Sequence, residues 1–241
     1  MTIVKLSSLV LLTGVALMGT SSAIAAEVGS LDTNLSATFI EDTSENTPLD
    51  PTDPTKPVDP GRPGTGGVLS LDVAPISIDF GTTMLEAGAN QTIFAKPMVV
   101  KSEGDLDKEV PHYVQVTDKR GGRLGWKLSV KQEAQLKSGA DDLTGAIISI
   151  QDQSIVSPSA EVAPTGFTGK LDLTPGSDVP VMTAVSGQGY LTWIQKYGAI
   201  TDDGSGTANE NKGVQLYVPS GAAQAKAYTG SLVWSLSDTP A

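Results

Sequence analysis

From residue 68 onward, apolar and polar positions alternate in short runs separated by turn residues. Val68-Leu69-Ser70-Leu71-Asp72-Val73, Ile76-Ser77-Ile78-Asp79-Phe80 and Trp126-Lys127-Leu128-Ser129-Val130-Lys131 each put one apolar set on one side of an extended chain. Similar runs cover Gln91–Val100 (broken by Pro97), His112–Thr117, Ala146–Gln151, Lys170–Leu173, Val179–Ala184, Tyr190–Ile194, Val214–Val218 and Tyr228–Leu236. Asp118–Gly125 reads as a polar turn. The Ala222–Ala227 stretch has at most one helical turn in it. No helical period is sustained anywhere in this part. The pattern predicts an all-β body over 68–241, an antiparallel β-sandwich or partly closed barrel of many short strands.

Ahead of that body the pattern changes twice. Residues 1–26 read as a signal peptide: Lys5, an apolar run from Leu9 to Met18, then Ala23-Ile24-Ala25, which predicts cleavage after Ala25 or Ala26. The run is short for a bilayer span, which takes roughly 20 residues. Over 27–47, Leu35, Ala37 and Phe39 alternate and predict one strand docking on the body, since one strand cannot stand alone. Residues 48–67 form a Pro/Asp/Gly-rich loop or spacer. Its prolines at 48, 51, 54, 57, 60 and 63 match the three-residue turn of a polyproline II helix, which would put all six rings on one face. On that reading the segment is a solvated tether or a partner-facing strip.

Composition narrows the function. Hydrophobic residues make up 39% of the 241, enough for a core, while 26 Gly and 15 Pro disfavour long helices. A net charge of −11 argues against nucleic acid, whose binders replace phosphate counterions with basic side chains. With no Cys there is no disulfide, thiol nucleophile or zinc–thiolate site, and the single histidine, His112, leaves little imidazole chemistry. Nucleophile-elbow, Walker and zinc-helix motifs are absent. Glu103, Asp105, Asp107 and Glu109, and Asp202, Asp203, Ser205 and Asn209, are loose acidic sets without calcium-loop spacing. The chain reads as a non-enzyme that needs no metal or cofactor.

Two W-x-L triplets stand out, Trp126-Lys127-Leu128 and Trp234-Ser235-Leu236. As strands they place Trp126, Leu128 and Val130 on one face, and Tyr228, Leu232, Trp234 and Leu236 on another. They are either core anchors of neighbouring strands or an apolar-aromatic surface that engages a partner. Lys119, Arg120 and Arg123, with Lys127 and Lys131, are the densest basic group. They suit a phosphate or a carboxylate, or else a turn held by an Asp118–Arg120 contact.

These residues carry a resemblance. Tyr228–Leu236 followed by Pro240, the run from Val116-Thr117-Asp118-Lys119-Arg120 to Gly125-Trp126-Lys127-Leu128, and Val68–Asp72 with Asp79-Phe80-Gly81 resemble the WxL-domain proteins of Gram-positive bacteria. Trp193, in Gly189-Tyr190-Leu191-Thr192-Trp193, lies where that family tends to have a Gly/Trp segment. The similarity spans roughly 31–241. It implies an exported protein held non-covalently on the cell surface, binding peptidoglycan or another cell-wall polymer. It also implies a membrane-anchored WxL-interacting protein as a neighbour and, in some members, adhesion to host matrix proteins. The binding or motif residues it implies are Trp126, Leu128, Trp234, Leu236, Tyr228, Asp118, Arg120 and Trp193. Larger members carry an added adhesive domain, for which this chain has no room.

Overall fold

A computed structural model describes residues 29–86, 88–201 and 209–239, so the signal segment and Pro240 lie outside the described residues. The chain divides into two compact units, Met1–Phe39 and Ile40–Ala241. In the first, residues 29–39 form no strand, and Leu31, Leu35 and Phe39 are almost fully exposed. The strand expected over 35–40 is not made. Alternation supplies an apolar face, but an extended segment is held only by a neighbour that takes its amides.

The second unit is all-β, and no helix occurs among the described residues. One sheet orders β1 (Leu69–Val73), β5 (Tyr113–Asp118), β14 (Leu191–Tyr197) and β10 (Gln153–Val156). A second orders β11 (Thr165–Gly166), β13 (Asp178–Ala184), β6 (Trp126–Gln132) and β17 (Leu232–Ser237). A third orders β12 (Leu171–Asp172), β9 (Ile147–Ile150), β16 (Glu210–Val218) and β15 (Ile200–Thr201), with β2 (Gln91–Ala95) also paired to β16. Two hairpins, β3 (Met98–Ser102) with β4 (Leu106–Val110) and β7 (Lys137–Ser138) with β8 (Asp141–Asp142), complete the set. Every pairing is antiparallel and no sheet closes on itself, which makes the body a sandwich rather than a barrel.

All three sheets feed one core. Val114 and Val116 of β5, Trp126, Leu128 and Val130 of β6, and Val214, Leu216 and Val218 of β16 meet there. The first sheet is covered on its other face as well. Tyr113 and Ile194 join Met98, Val100, Val110 and Val58 in a second, smaller core. That is why β5 is buried along its whole length instead of alternating.

The proline segment supplies part of this second cover, and it departs from the continuous polyproline helix. Leu49 pairs with Pro57 across a turn in which Lys56 N–H donates to Asp53 O at 3.0 Å. Asp50, Asp53 and Asp59 each accept the amide two residues on, from Thr52, Thr55 and Gly61. These side-chain turns bend the chain at Asp-Pro steps where periodicity alone predicts a rod. The segment is docked, not a solvated tether: Asp50 is buried and ion-paired to Lys108, and Pro51, Val58 and Pro60 are buried. Asp72 anchors the stretch ahead of it. Its carboxylate accepts from Asn46 Nδ2 at 3.2 Å, Gln115 Nε2 at 2.9 Å, and the Ser70 and Thr117 hydroxyls.

Ile76–Phe80 also fails to become a strand despite its alternation. Pro75 precedes it, and the Asp79 carboxylate turns back to accept Gly81 N–H at 2.7 Å. The segment runs instead as a strap over residues 75–85. His112 ties this strap down through a backbone hydrogen bond with Ser77. Gly213 N–H donates to Asn211 Oδ1 at 3.0 Å, which turns Asn211 Nδ2 towards His112 Nδ1 at 2.9 Å, so that nitrogen accepts and the ring is neutral. Burial pushes the imidazole down from 6.5 to about 4, against the opposing pull of the Ser77 bond. The unfolded chain therefore binds this proton first. The contribution of His112 is complete above pH 6.5 and is lost as pH falls towards about 4. The expected loss is about 3 kcal/mol across that window. Urea denaturation at pH 7, 5.5 and 4.5 measures it, and a His112→Asn chain, less stable overall, should show a flatter dependence.

Candidate functional site

The first W-x-L triplet is built into the sandwich. Asp118 ends β5 fully buried and receives Arg120 through Nε and Nη2, both at 2.9 Å, together with the Arg120 amide at 3.0 Å. The same guanidinium reaches Gly125 O at 2.7 Å and so closes the turn on itself. Gly125 has φ +87°, and a Cβ there would lie 2.3 Å from Ala184 O, so no other residue fits before the tryptophan. Trp126 follows at 0% exposure, its Nε1–H donating to Gly189 O at 3.0 Å. Leu128 is equally buried. Trp193 is in the core with its Nε1–H on Tyr190 O at 2.8 Å. These residues tie the turn before β6 to the loop before β14; they present no aromatic face to solvent.

Four of the five basic side chains are paired as well. Lys119 meets Asp42, Arg120 meets Asp118, Arg123 meets Glu161 at 2.8 Å, and Lys131 meets Glu133 at 2.7 Å. Arg123 also lies 4.2 Å over the Tyr190 ring. The turn reading of this cluster fits these contacts, and a phosphate would have to break them.

The second triplet behaves differently. β17 pairs with β6 in a register that sets Trp234 opposite Val130 and Leu236 opposite Leu128, so the two motifs run antiparallel on adjacent strands. β6 is flanked on both sides and is inner; β17 is an edge. Trp234 and Leu236 are accordingly only half-buried, while Val233 and Ser235 face out. One face of the Trp234 ring is stacked on Tyr197, centroids 6.3 Å apart and planes 16° apart.

Beside Trp234 lies an open cleft of about 990 Å³. The strap forms one side with Ile78 and Phe80, β2 adds Ile93, and Leu232, Trp234 and half-buried Tyr228 form the other. Tyr228 Oη accepts the Gln224 amide at 3.1 Å, which fixes its orientation. Gln132, at the end of β6, also lines the cleft and is 1% exposed. Its Nε2 donates to Ala134 O at 2.9 Å, while its Oε1 receives no hydrogen bond. A smaller recess joins Trp234 and Leu236 to Leu69 and Leu71.

Among the eight motif residues, then, Trp234, Leu236 and Tyr228 reach a surface, and Trp126, Leu128, Trp193, Asp118 and Arg120 hold the structure that supports them. Gln132 and the strap are site components that sequence reasoning missed. Only the alternation over Ile76–Phe80 hinted at the strap, and nothing local marks Gln132. The acidic run at the β3–β4 turn is tied to Lys101 through Asp105 and Asp107, and Asp202, Asp203 and Ser205 lie outside the described residues. No group of three or more potential metal ligands occurs among the described residues, nor any helix long and apolar enough to cross a membrane.

A family model for a WxL domain, described as surface cell wall-binding, matches residues 26–240. No curated protein and no solved structure matches the chain.

Proposed function

The chain belongs to the WxL family of surface cell wall-binding domains, and from that premise we propose that it is exported and held non-covalently on a Gram-positive wall through peptidoglycan. The observation that carries this reading to a site is Trp234, half-buried at the rim of an open cleft while its counterpart Trp126 is sealed in the core. Trp234 has area to offer a ligand; Trp126 has none. The role we propose is binding, in keeping with the family's description as surface cell wall-binding.

The test is co-sedimentation of the mature protein with isolated walls stripped of protein and teichoic acid, at several salt concentrations. Retention that survives salt is expected, because four of the five basic side chains around the first motif are already paired. Trp234→Ala should weaken retention by about tenfold or more, consistent with an aromatic hot spot. Its cost to folding should be only about 1–3 kcal/mol, as for a half-buried aromatic. Equal wall retention by the variant would remove Trp234 from the site.

A second reading is favoured by one feature: β17 and β1 are edge strands, and edges recruit extended partners. On it, the protein is an assembly subunit that reaches the surface by binding a membrane-anchored WxL-interacting protein, with adhesion as a further role. Failure of a folded protein to sediment with stripped walls would favour it.

A further inference from the structure

We infer that residues 31–40 of one copy of this chain add as a strand to the free edge of β17 in a second copy. The contact is between copies of the protein, so it stands or fails independently of wall binding.

The donor is a strand in pattern that the single chain leaves unused. Leu31, Leu35, Ala37 and Phe39 fall on one face of an extended chain and Asp32, Ser36 and Thr38 on the other, with no Gly or Pro between 31 and 40. Yet the run joins no sheet, and Leu31 is 99% exposed, Leu35 and Phe39 92% and Ile40 93%. So much apolar area on ten residues is what strand addition removes from water. The chain is anchored just beyond this run. Lys119 holds Asp42 and Ser44, and Asn46 holds Ser70 and Asp72. Ten extended residues span about 33 Å, long enough to lie along all of β17.

The receiver lacks the usual protection of an edge. Among the described residues β17 is the longest strand with an unpaired side. Leu232–Ser237 contains no charged residue and no Pro, the residues that keep edges from pairing. β1, the other edge at the smaller recess, is already occupied. Thr65 N–H donates to Leu71 O, and Leu71 N–H donates to Thr65 Oγ1, both at 3.0 Å. In that recess Leu69, Trp234 and Leu236 are only half-buried. A strand added to β17 would lay Leu35, Ala37 and Phe39 over them and satisfy the open main-chain groups of the edge.

Charge fits a second copy. At net −11, two copies repel unless their contact is neutral or locally complementary. Residues 33–40 and 232–237 contain no ionisable side chain. Lys127 lies opposite Ser237 on β6, and neither it nor Asp32 has an ion pair among the described residues. Laid antiparallel to β17, the donor brings Asp32 to the Ser237 end, with its polar face on the side of Lys127. Donor and receiver are different surfaces, so the contact is head-to-tail. It closes where two copies exchange segments and otherwise continues as a chain of copies.

The experiment is sedimentation velocity of the mature protein at concentrations up to about 100 μM, where a micromolar Kd shows. Tryptophan fluorescence is recorded alongside. Concentration-dependent dimers or longer species are expected, with a blue shift, because Trp234 is the tryptophan that remains half-buried in the single chain. Leu35→Asp with Phe39→Asp disables the donor, and Val233→Lys with Ser235→Lys blocks the receiver. All four side chains are exposed, so each double variant should melt within a few degrees of the parent. Each alone should self-associate about a hundredfold or more weakly. Mixed in equal amounts they should associate again, since one keeps the receiver and the other the donor. A parent that stays monomeric, with its segment folded back or reserved for a different protein, overturns the proposal. Association retained by the donor variant does so too, as does failure of the two variants to associate when mixed. Association lost in the donor variant but kept in the receiver variant overturns β17 as the receiver.

Discussion

Replacing Trp126 with alanine is expected to lower the unfolding free energy by about 3–5 kcal/mol, the range for deleting a fully buried large aromatic. Trp126 is 0% exposed, packs with Leu128 and Val130 in the main core, and holds Gly189 O with its indole N–H. Alanine leaves a cavity and an unpaired buried carbonyl together. The site cannot collapse readily, because a Cβ at Gly189 would already lie 2.7 Å from Trp126 Nε1 and 2.5 Å from the Ala184 Cβ. Trp126→Phe separates the two effects. It keeps most of the ring volume and loses the hydrogen bond, and should cost about 1–3 kcal/mol. Urea denaturation at neutral pH measures both. An unchanged midpoint for Trp126→Ala would contradict the core assignment. A fall in wall retention beyond what the unfolded fraction explains would show a direct role.

Arg120→Ala is the second large effect, again expected at about 3–5 kcal/mol. Asp118 is fully buried and its carboxylate relies on a bidentate guanidinium. Removing the cation leaves a buried charge with only the Arg120 amide as donor. Arg120→Lys should recover little, since an ammonium cannot span both oxygens and Gly125 O. The double variant Asp118→Asn, Arg120→Met should be more stable than Arg120→Ala alone, because the charge goes with its partner. A double-mutant cycle gives the coupling directly. Additive single effects would mean that the pair contributes nothing as a pair.

Legibility followed from how local each constraint is. The clasp before Trp126 could be suspected from Asp118, Arg120 and Gly125 because all its partners lie within eight residues. The shared face of Trp126, Leu128 and Val130 followed from the strand period alone. By contrast, the six regularly spaced prolines suggested a rod. Asp50, Asp53 and Asp59 bend it, and the burial of Val58 with Tyr113 and Ile194 of the first sheet decides where it lies. Leu35–Ile40 and Ile76–Phe80 alternate as well as any strand in the chain, yet neither joins a sheet. Period reports a face; it does not report whether a neighbour is there to pair.

The sequence by itself determined the all-β class, the family and the two tryptophan motifs, since each is written in period, turn residues and short-range spacing. Which tryptophan is sealed and which is available was decided by tertiary structure alone. The two triplets have the same local pattern, but β6 has strands on both sides and β17 on one. A pairing partner chosen from across the chain, not anything within the triplet, removes Trp126 from solvent and leaves Trp234 at the rim of a cleft. Gln132 became visible for the same reason, because an acceptor is orphaned only with respect to everything packed around it.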